Sequence, residues 1–465
     1  MKVSKLFNIN ILNDHKVTKL ASNSKEVTIG DVFFAIPGTK TNGSDYIEEA
    51  IKNGAKTIVT SEYKNYQNIN VIVVDDVKKT LAECCVKYYH NITKNLKIIG
   101  ITGTNGKTTT TTLIHNYLKY LGIKSILIGT NGVFADKHYK TSNTTLDILT
   151  LYKIFAYAKT SKIKYIIMEV SSHAIKQQRI KYIPFIIGGY TNLTQDHLDY
   201  HKTMDDYLYT KILFLNNCQE IILNKDDKYF KCINQAINNK SFTYGKDASY
   251  QVANIIEKNN KTIFDLKINN ITHRICTTLR GEYNVYNVLL MISIVDRLKL
   301  FKPELKDFLK LSITIPGRMV EFCYHNYTII VDYAHTPDAM EKILSYLQIK
   351  KQNRLIAVFG AGGNRDKSKR EQMGIVASKY ADEVILTVDN SRTEDKQSII
   401  KMIMQGISIP YTIELDRKEA IKLAISKATD GDIIAILGRG SEEILVEETP
   451  ILLNDINVVK EIIGK

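Results

Sequence analysis

The stretch LKIIGITGTNGKTTTT at positions 96–111 constrains this chain more than any other. An apolar run passes into glycines and then directly into residues with helical spacing. Leu113, Ile114, Tyr117, Leu118 and Leu121 fall on one face. That order predicts a buried strand over 96–102, a tight turn, and a helix over 109–121, the elements of an α/β protein. Gly103 and Gly106 let backbone amides approach a phosphate closely. The helix N-terminus adds partial positive charge. Lys107 can neutralise β- and γ-phosphate oxygens, and the Thr108 hydroxyl can ligate Mg²⁺. The spacing here is GxxGKT rather than GxxxxGK[ST]. The plainer reading is a glycine turn before a helix. The strand–GKT–helix context favours an ATP-binding segment made of Gly103, Thr104, Asn105, Gly106, Lys107, Thr108 and Thr109.

At ~150 residues per domain, 465 residues predict three domains. Apolar runs alternate with amphipathic stretches throughout. In the first block DVFFAIPG, TIVT and INVIVV read as strands and YIEEAIKNGA as a helix with a glycine stop. The second block adds KSILIG, YIIMEV and FIIGGYTN, and reads as a wound parallel sheet of roughly 220 residues. The third has TIIVDYA, LIAVFGAGG, EVILTVDN, YTIELD and DIIAILGRG. Four of these run into polar or glycine-rich loops. Ligands of open α/β sheets sit at the carboxyl ends of strands, so the four loops are expected to converge on one site. The boundaries expected are 1–92, 93–314 and 315–465.

Hydrophobic residues at 44% and charged residues at 24% exclude disorder along the whole length. Lys plus Arg is 63 against 49 Asp plus Glu, a formal net charge of +14. That suits anionic partners, but no long basic block marks a nucleic-acid arm. The six cysteines form no CxxC pair, which fits a reduced setting. The N-terminus lacks the apolar core of a signal peptide, and no window approaches the ~20 apolar residues of a membrane span. A cytoplasmic protein without membrane insertion is expected.

Other candidates are weaker individually. Glu169, at the end of YIIMEV, offers a hard cation a carboxylate one strand from the glycine loop; a helix-capping acid is the alternative. His197, Asp199 and His201 form a short HxDxH pattern that is not by itself a metal cluster. Asn284 and Asn287 are three apart, on one helix face. Arg318 follows Pro316 at an apparent hinge, where an Arg could clamp a phosphoryl group across a cleft. Arg365 and Arg392 stand in neighbouring strand-end loops, and their planar forks suit an amino acid with an extra carboxylate.

GTNGKTTT, EVSSHA, NLTQDHLDYH, GRMV, DYAHTPDA and FGAGGNRDKSKR occur in this order, and in this order they resemble the Mur ligases over nearly the whole chain. The match is strongest to members that add the third residue of the peptide. The resemblance implies an N-terminal uridine-binding α/β domain, a central P-loop ATPase domain with a parallel sheet, and a C-terminal Rossmann-like α/β domain. It implies ATP and Mg²⁺ as cofactors, with Thr108, Glu169, His197 and a carbamylated Lys211 as metal-site residues. A buried lysine has a lowered pKa, so its neutral amine can take up CO₂. Lys107, His197, Lys211 and Arg318 are the implied catalytic set. Asn287 is implied at the ATP base, and Asp332 and His335 at the ribose and phosphates. Ser24, Asn143, Thr144, Thr145, Ser171, Gln177 and Arg179 match contacts to the UDP-muramoyl peptide.

Arg365, Asp389, Asn390, Ser391, Arg392, Gly438 and Glu442 match the site for the incoming amino acid. Family members that use meso-diaminopimelate carry DNPR there, and lysine users lack the Arg. This chain has DNSR, with Ser391 in place of Pro; Arg439 and Ser441 depart from GKGHE; Lys25 and Asn42 replace the usual Arg and Asp. The implied activity joins meso-diaminopimelate to the D-Glu of UDP-N-acetylmuramoyl-L-Ala-D-Glu through an acyl phosphate, in peptidoglycan synthesis. A monomer with small-molecule partners and no nucleic acid is expected. Alternatives within the class are an L-lysine-adding enzyme, another Mur step, or a folylpolyglutamate synthase-like ligase. Outside it stands a P-loop nucleic-acid-binding ATPase, which no aromatic–basic interleaving supports.

Overall fold

Short runs of β-branched and aromatic residues build an N-terminal parallel sheet in the order Leu20–Ala21, Val32–Phe34, Thr57–Thr60, Asn70–Val73. Phe33 and Ile58 from these strands pack with Ile47 and Ala50 of the helix Ile47–Lys52. The computed structural model describes residues 1–38, 41–141, 143–442, 444–446 and 449–464, and for 444–446 and 449–453 the backbone only. The chain falls into two units: Met1–Gly100 with Ile123–Ile187 and Asn217–Gln219, and Ile101–Gly122 with Gly188–Asn216 and Glu220–Lys465.

Apart from the four-stranded N-terminal sheet, the first unit holds the parallel pair Ser125–Gly129 and Tyr165–Glu169, extended antiparallel by Gly132–Phe134, in another sheet. Asp147 caps the helix Ile148–Thr160 by accepting from the Thr150 amide at 3.0 Å.

In the second unit residues 220–224 of the strand Cys218–Asn224 run parallel to Lys240–Gly245. Beyond this point the expected parallel sheet is continued by an antiparallel part that the sequence reading did not include. Tyr250–Lys258, Lys261–Ile268 and Ile271–Thr277 form an antiparallel meander. Its two-residue turns are Asn259–Asn260 and Asn269–Asn270, all four with φ between 49° and 66°. Asn tolerates that left-handed backbone, and two successive positive φ values match the twist of a hairpin.

The rest of this unit holds a six-stranded sheet in the order Val320–Tyr324, Tyr327–Asp332, Ile433–Leu437, Leu355–Phe359, Glu383–Leu386, Tyr411–Ile413. Only the first strand is antiparallel. Pro337–Lys350, Ser368–Tyr380 and Lys396–Met404 cover one face around Met340, Leu344, Met373 and Ile403. Arg417–Lys427 and Asp455–Ile463 cover the other around Ala420, Ile421 and Val459. Burial on both faces explains why these strands read as continuous apolar runs. Their carboxyl ends meet: the Gly438 amide donates to the Asp332 carbonyl at 3.1 Å, and the Gly363 amide to the Asn390 carbonyl at 2.8 Å. Glu257 of the meander accepts from Tyr346 Oη at 2.6 Å and lies 3.2 Å from Lys350 Nζ, both on the helix Pro337–Lys350.

Candidate active site

The strand Lys97–Thr102 ends in Gly103 and the helix Lys107–Tyr120 starts directly after Gly106, two residues earlier than its apolar spacing suggests. Gly106 is in the left-handed region at φ 86°, and a Cβ there would lie 2.3 Å from Asn287 Oδ1. At Gly103 a Cβ would meet Thr191 Oγ1 at 1.8 Å. The loop therefore needs glycine at both places. The segment after Tyr190 clamps it: the Thr104 amide donates to the Asn192 carbonyl at 2.9 Å, the Asn105 amide to Asn192 Oδ1 at 3.0 Å, and Thr191 Oγ1 to the Asn105 carbonyl at 2.6 Å. Lys107 Nζ curls over the loop and donates to the Gly103 and Thr104 carbonyls, both at 2.9 Å. Thr108 and Thr109 are buried in the first helical turn.

Tyr207 organises the next layer. Its hydroxyl shares a hydrogen bond with Thr104 Oγ1 at 3.2 Å, and its ring stacks on His201 at 4.8 Å. Lys211 Nζ lies 4.3 Å from the same ring, and the His197 ring meets it edge-on at 6.2 Å. Lys211 is 1% exposed. Burial, with the nearby Lys107 charge, pushes its amine far below the usual lysine range. An uncharged amine is the form that reacts with CO₂. Among the described residues no group of three or more His, Cys, Asp or Glu could hold a metal. Thr108 and His197 offer a hydroxyl and an imidazole, and a carbamate on Lys211 would supply the anionic oxygen a hard cation prefers. Those donors then fit Mg²⁺.

Asp196 is a buried hub. Its Oδ1 accepts from Lys369 Nζ at 3.1 Å, while Oδ2 lies 3.3 Å from His197 Nε2 and 3.5 Å from His335 Nε2. Burial alone would raise its pKa, but Lys369 and the two imidazoles hold it well below the usual carboxylate range. Nearby, Asn105 Nδ2 donates to Asp338 Oδ2 at 2.9 Å, and Arg318 Nη2 to Thr108 Oγ1 at 3.2 Å. Arg318 also lies 4.3 Å over the Tyr333 ring. Asp332 accepts from the Met319 and Ala334 amides at 2.8 and 2.7 Å, which fixes the turn carrying Arg318 and His335. Asn287 donates to Asn284 Oδ1 at 3.1 Å on the helix Glu282–Arg297.

Arg365 and Arg392 flank Gly362, where a Cβ would lie 3.3 Å from Arg392 Nη1 and 3.6 Å from Arg365 Cγ. Arg392 has φ 52°, its amide donates to Asn390 Oδ1 at 3.3 Å, and its Nη1 bonds to the Gly363 carbonyl. Proline fixes φ near −65° for its own residue; Ser391 in its place is buried, and its carbonyl occupies the space a side chain at Gly363 would need. The two arginine loops share one anchor. Arg370, fully buried, forms a bidentate pair with Glu394 at 2.7 and 2.8 Å, and Glu394 Oε2 accepts from the Asn364 amide at 2.8 Å. Asp389 accepts from Arg439 Nε at 3.0 Å. Burial would raise Asp389, but Arg417 and Arg439 hold it low. Gly438 stands over Asp389 at φ 118°, and the Glu442 amide donates to the Arg439 carbonyl at 2.9 Å.

The first unit gathers a separate group. Glu169, 1% exposed, accepts from the Thr130 amide at 2.8 Å and from Thr130 Oγ1 at 3.1 Å. Thr130 and Thr144 share a hydrogen bond at 3.1 Å. Thr145 Oγ1 donates to the Glu169 carbonyl at 2.8 Å and accepts from the Ser171 amide at 3.0 Å. Arg179 donates to the Thr145 carbonyl at 2.8 Å and to Gln177 Oε1 at 2.7 and 3.0 Å. Asn143 is exposed, its carbonyl accepting from Thr141 Oγ1 at 3.3 Å. Ser24 lies in the N-terminal sheet domain, donating to Glu49 Oε2 at 2.5 Å.

Three family domains match in series: the Mur ligase family catalytic domain over residues 16–96, the Mur ligase middle domain over 101–295, and the Mur ligase glutamate ligase domain over 317–440. A relative from Clostridium acetobutylicum, UDP-N-acetylmuramoyl-L-alanyl-D-glutamate--2,6-diaminopimelate ligase 1, is 38% identical over 459 residues, covering 96% of this chain and 95% of its own. The chain belongs to the Mur ligase family. A solved structure of a UDP-N-acetylmuramoyl-L-alanyl-D-glutamate--2,6-diaminopimelate ligase is 30% identical, with a TM-score of 0.71 over 100% of this chain and 99% of that one. A MurF ligase from Thermotoga maritima in complex with ADP shares the fold, with a TM-score of 0.67 at 18% identity over 96% of each chain. Family membership sets aside the nucleic-acid ATPase reading of the net charge. Among the described residues no helix of this Mur ligase is long and apolar enough to cross a membrane.

Several residues of this Mur ligase site were not singled out from its sequence: Thr191, Asn192, Asp196, Tyr207, Asp338 and Lys369. Asp196 and Lys369 stand within quoted motifs, but nothing in their type or spacing separates them from ordinary surface charges.

Proposed function

We propose that this Mur ligase uses ATP to join meso-diaminopimelate to the γ-carboxyl of D-Glu in UDP-N-acetylmuramoyl-L-Ala-D-Glu. The observation that carries the choice of amino acid is the pair Arg365 and Arg392 on either side of Gly362. Two guanidinium forks suit an amino acid with a second carboxylate; lysine has none for the second fork to bind. The names of relatives 38% identical over nearly full length support the same reading. The N-terminal match at 16–96 disfavours a folylpolyglutamate synthase-like enzyme, expected to begin near the glycine loop.

Lys107, Arg318 and the amides of the Gly103–Thr109 loop bind the triphosphate and hold it in line with the muramoyl carboxylate. Thr108, His197 and carbamylated Lys211 would hold Mg²⁺, which when bound supplies positive charge against the phosphate oxygens. The carboxylate oxygen attacks the γ-phosphorus, and ADP leaves. The resulting acyl phosphate turns a poor leaving group into a good one. The ammonium of the amino acid gives one proton to solvent, the free amine attacks the acyl carbon and loses a second proton to solvent, and the tetrahedral intermediate expels phosphate. Catalysis is positioning and charge neutralisation throughout. Asp332 holds the backbone that presents Arg318. Lys369 and His335 bring the C-terminal loops against Asp196 and exclude water from the acyl phosphate.

Offering meso-diaminopimelate and L-lysine together and weighing the products tests the assignment. The diaminopimelate adduct is expected to dominate; a preference for lysine overturns it.

A further inference from the structure

A free diamino acid carries an ammonium and a carboxylate on the same carbon, so its receptor needs a cation and an anion a few ångströms apart. Asp199 and Arg365 provide such a pair. Arg365 Nη1 lies 3.7 Å from Asp199 Oδ2. Asp199 belongs to the short helix Leu198–His201, on the segment that carries Asp196 and His197, whereas Arg365 belongs to the glycine-rich loop after Leu355–Phe359. The other oxygen, Asp199 Oδ1, is buried and accepts no hydrogen bond in the structure. A buried carboxylate oxygen without a donor is costly unless a ligand completes it.

The surrounding charges narrow the choice. Three carboxylates act on Arg392: Asp389, Glu442 and Asp199. Asp389 is already bonded to Arg439 Nε at 3.0 Å, with Arg417 also acting on it. Glu442 stands exposed at the end of the GRGSE loop. Asp199 is the one of the three whose segment also holds the groups beside the phosphate loop. The amine that attacks the acyl phosphate must lie on that side.

We propose that Asp199 binds the ammonium at the reacting end of the amino acid, while Arg365 binds the carboxylate on the same carbon. This rests on the ligase reading above. The Asp199–Arg365 ion pair is then a placeholder: substrate exchanges one internal pair for two external ones, and neither charge is left unpaired. The pair admits an α-amino acid and rejects a simple amine or a simple acid, which would satisfy only one partner.

Hydroxylamine separates this from a structural role. As a small neutral nucleophile it traps the acyl phosphate as a hydroxamate without using either charged contact. In Asp199→Asn, the KM for meso-diaminopimelate is expected to rise roughly tenfold to a hundredfold, with hydroxamate formation and the KM for ATP within about twofold of wild type. Asp199→Glu, which keeps the charge, should recover part of the loss. An unchanged KM for diaminopimelate in the Asn variant, a parallel fall in hydroxamate formation, or no recovery in the Glu variant overturns the assignment. Wild-type enzyme that yields neither amide nor hydroxamate overturns the ligase reading itself, and this one with it.

Discussion

Lys369 Nζ sits 3.1 Å from Asp196 Oδ1, and the two side chains are only 6% and 7% exposed. They are 173 residues apart in the chain. One comes from the C-terminal Mur ligase domain and the other from the segment that clamps the glycine loop, so this single buried pair ties those two parts of the second unit together.

Removing one partner strands the other charge. Lys369→Met is expected to cost about 3–5 kcal/mol of stability, because the Asp196 carboxylate stays buried without its cation. Adding Asp196→Asn should give back part of that loss. Denaturant unfolding of both single variants and the double variant checks the coupling; strictly additive losses would show that the pair is not coupled.

Gly106→Ala places a methyl group 2.3 Å from Asn287 Oδ1 in a left-handed backbone. The loop has to move, and the Kd for ATP is expected to weaken by more than about tenfold, since backbone amides lose their aim. Titration calorimetry with ATP reads this directly.

Lys211→Ala should lower kcat by about a hundredfold or more if a carbamate on this buried amine supplies an anionic oxygen to the site. Short carboxylic acids added to the Ala variant should restore part of the activity. Lys211→Arg, which cannot take up CO₂, should gain less from the same acids. Wild-type activity in the Ala variant would remove Lys211 from the mechanism.

Glu394 gives the fold a definable acid limit. Its hydrogen bonds to Arg370 hold its pKa at about 2, against an ordinary value of 4.5. A depressed carboxyl contributes stability that is fully present above the ordinary value and lost as pH falls toward the folded one. That contribution is on the order of 3 kcal/mol. Glu394→Gln should therefore be less stable at pH 6 and should show a shallower decline between pH 4.5 and 2 by urea unfolding.

The glycine loop, the helix behind it and the strand-end loops of the last sheet were legible because local rules govern them. Gly103 and Gly106 announce a backbone no other residue adopts easily. Arg365 and Arg392 follow apolar runs that can only be buried strands. The meander was missed, although Asn259–Asn260 and Asn269–Asn270 are hairpin signals, because the polar residues between them weakened the strand pattern. Asp196 and Lys369 carried no local mark: one acid and one lysine among 63 basic side chains acquire meaning only when the fold brings them together. Lys211 was legible only through the resemblance; its burial is a tertiary fact.

The links described between the C-terminal lobe and the segments around the phosphate loop are hydrogen bonds and ion pairs: Asn105 to Asp338, Thr108 to Arg318, Asp196 to Lys369, Asp199 to Arg365, and Glu257 to Tyr346 and Lys350. Beside them the Tyr283 ring, from the helix Glu282–Arg297, packs on the apolar core of that lobe. Dissolved salt therefore weakens the polar links while leaving the apolar contact in place.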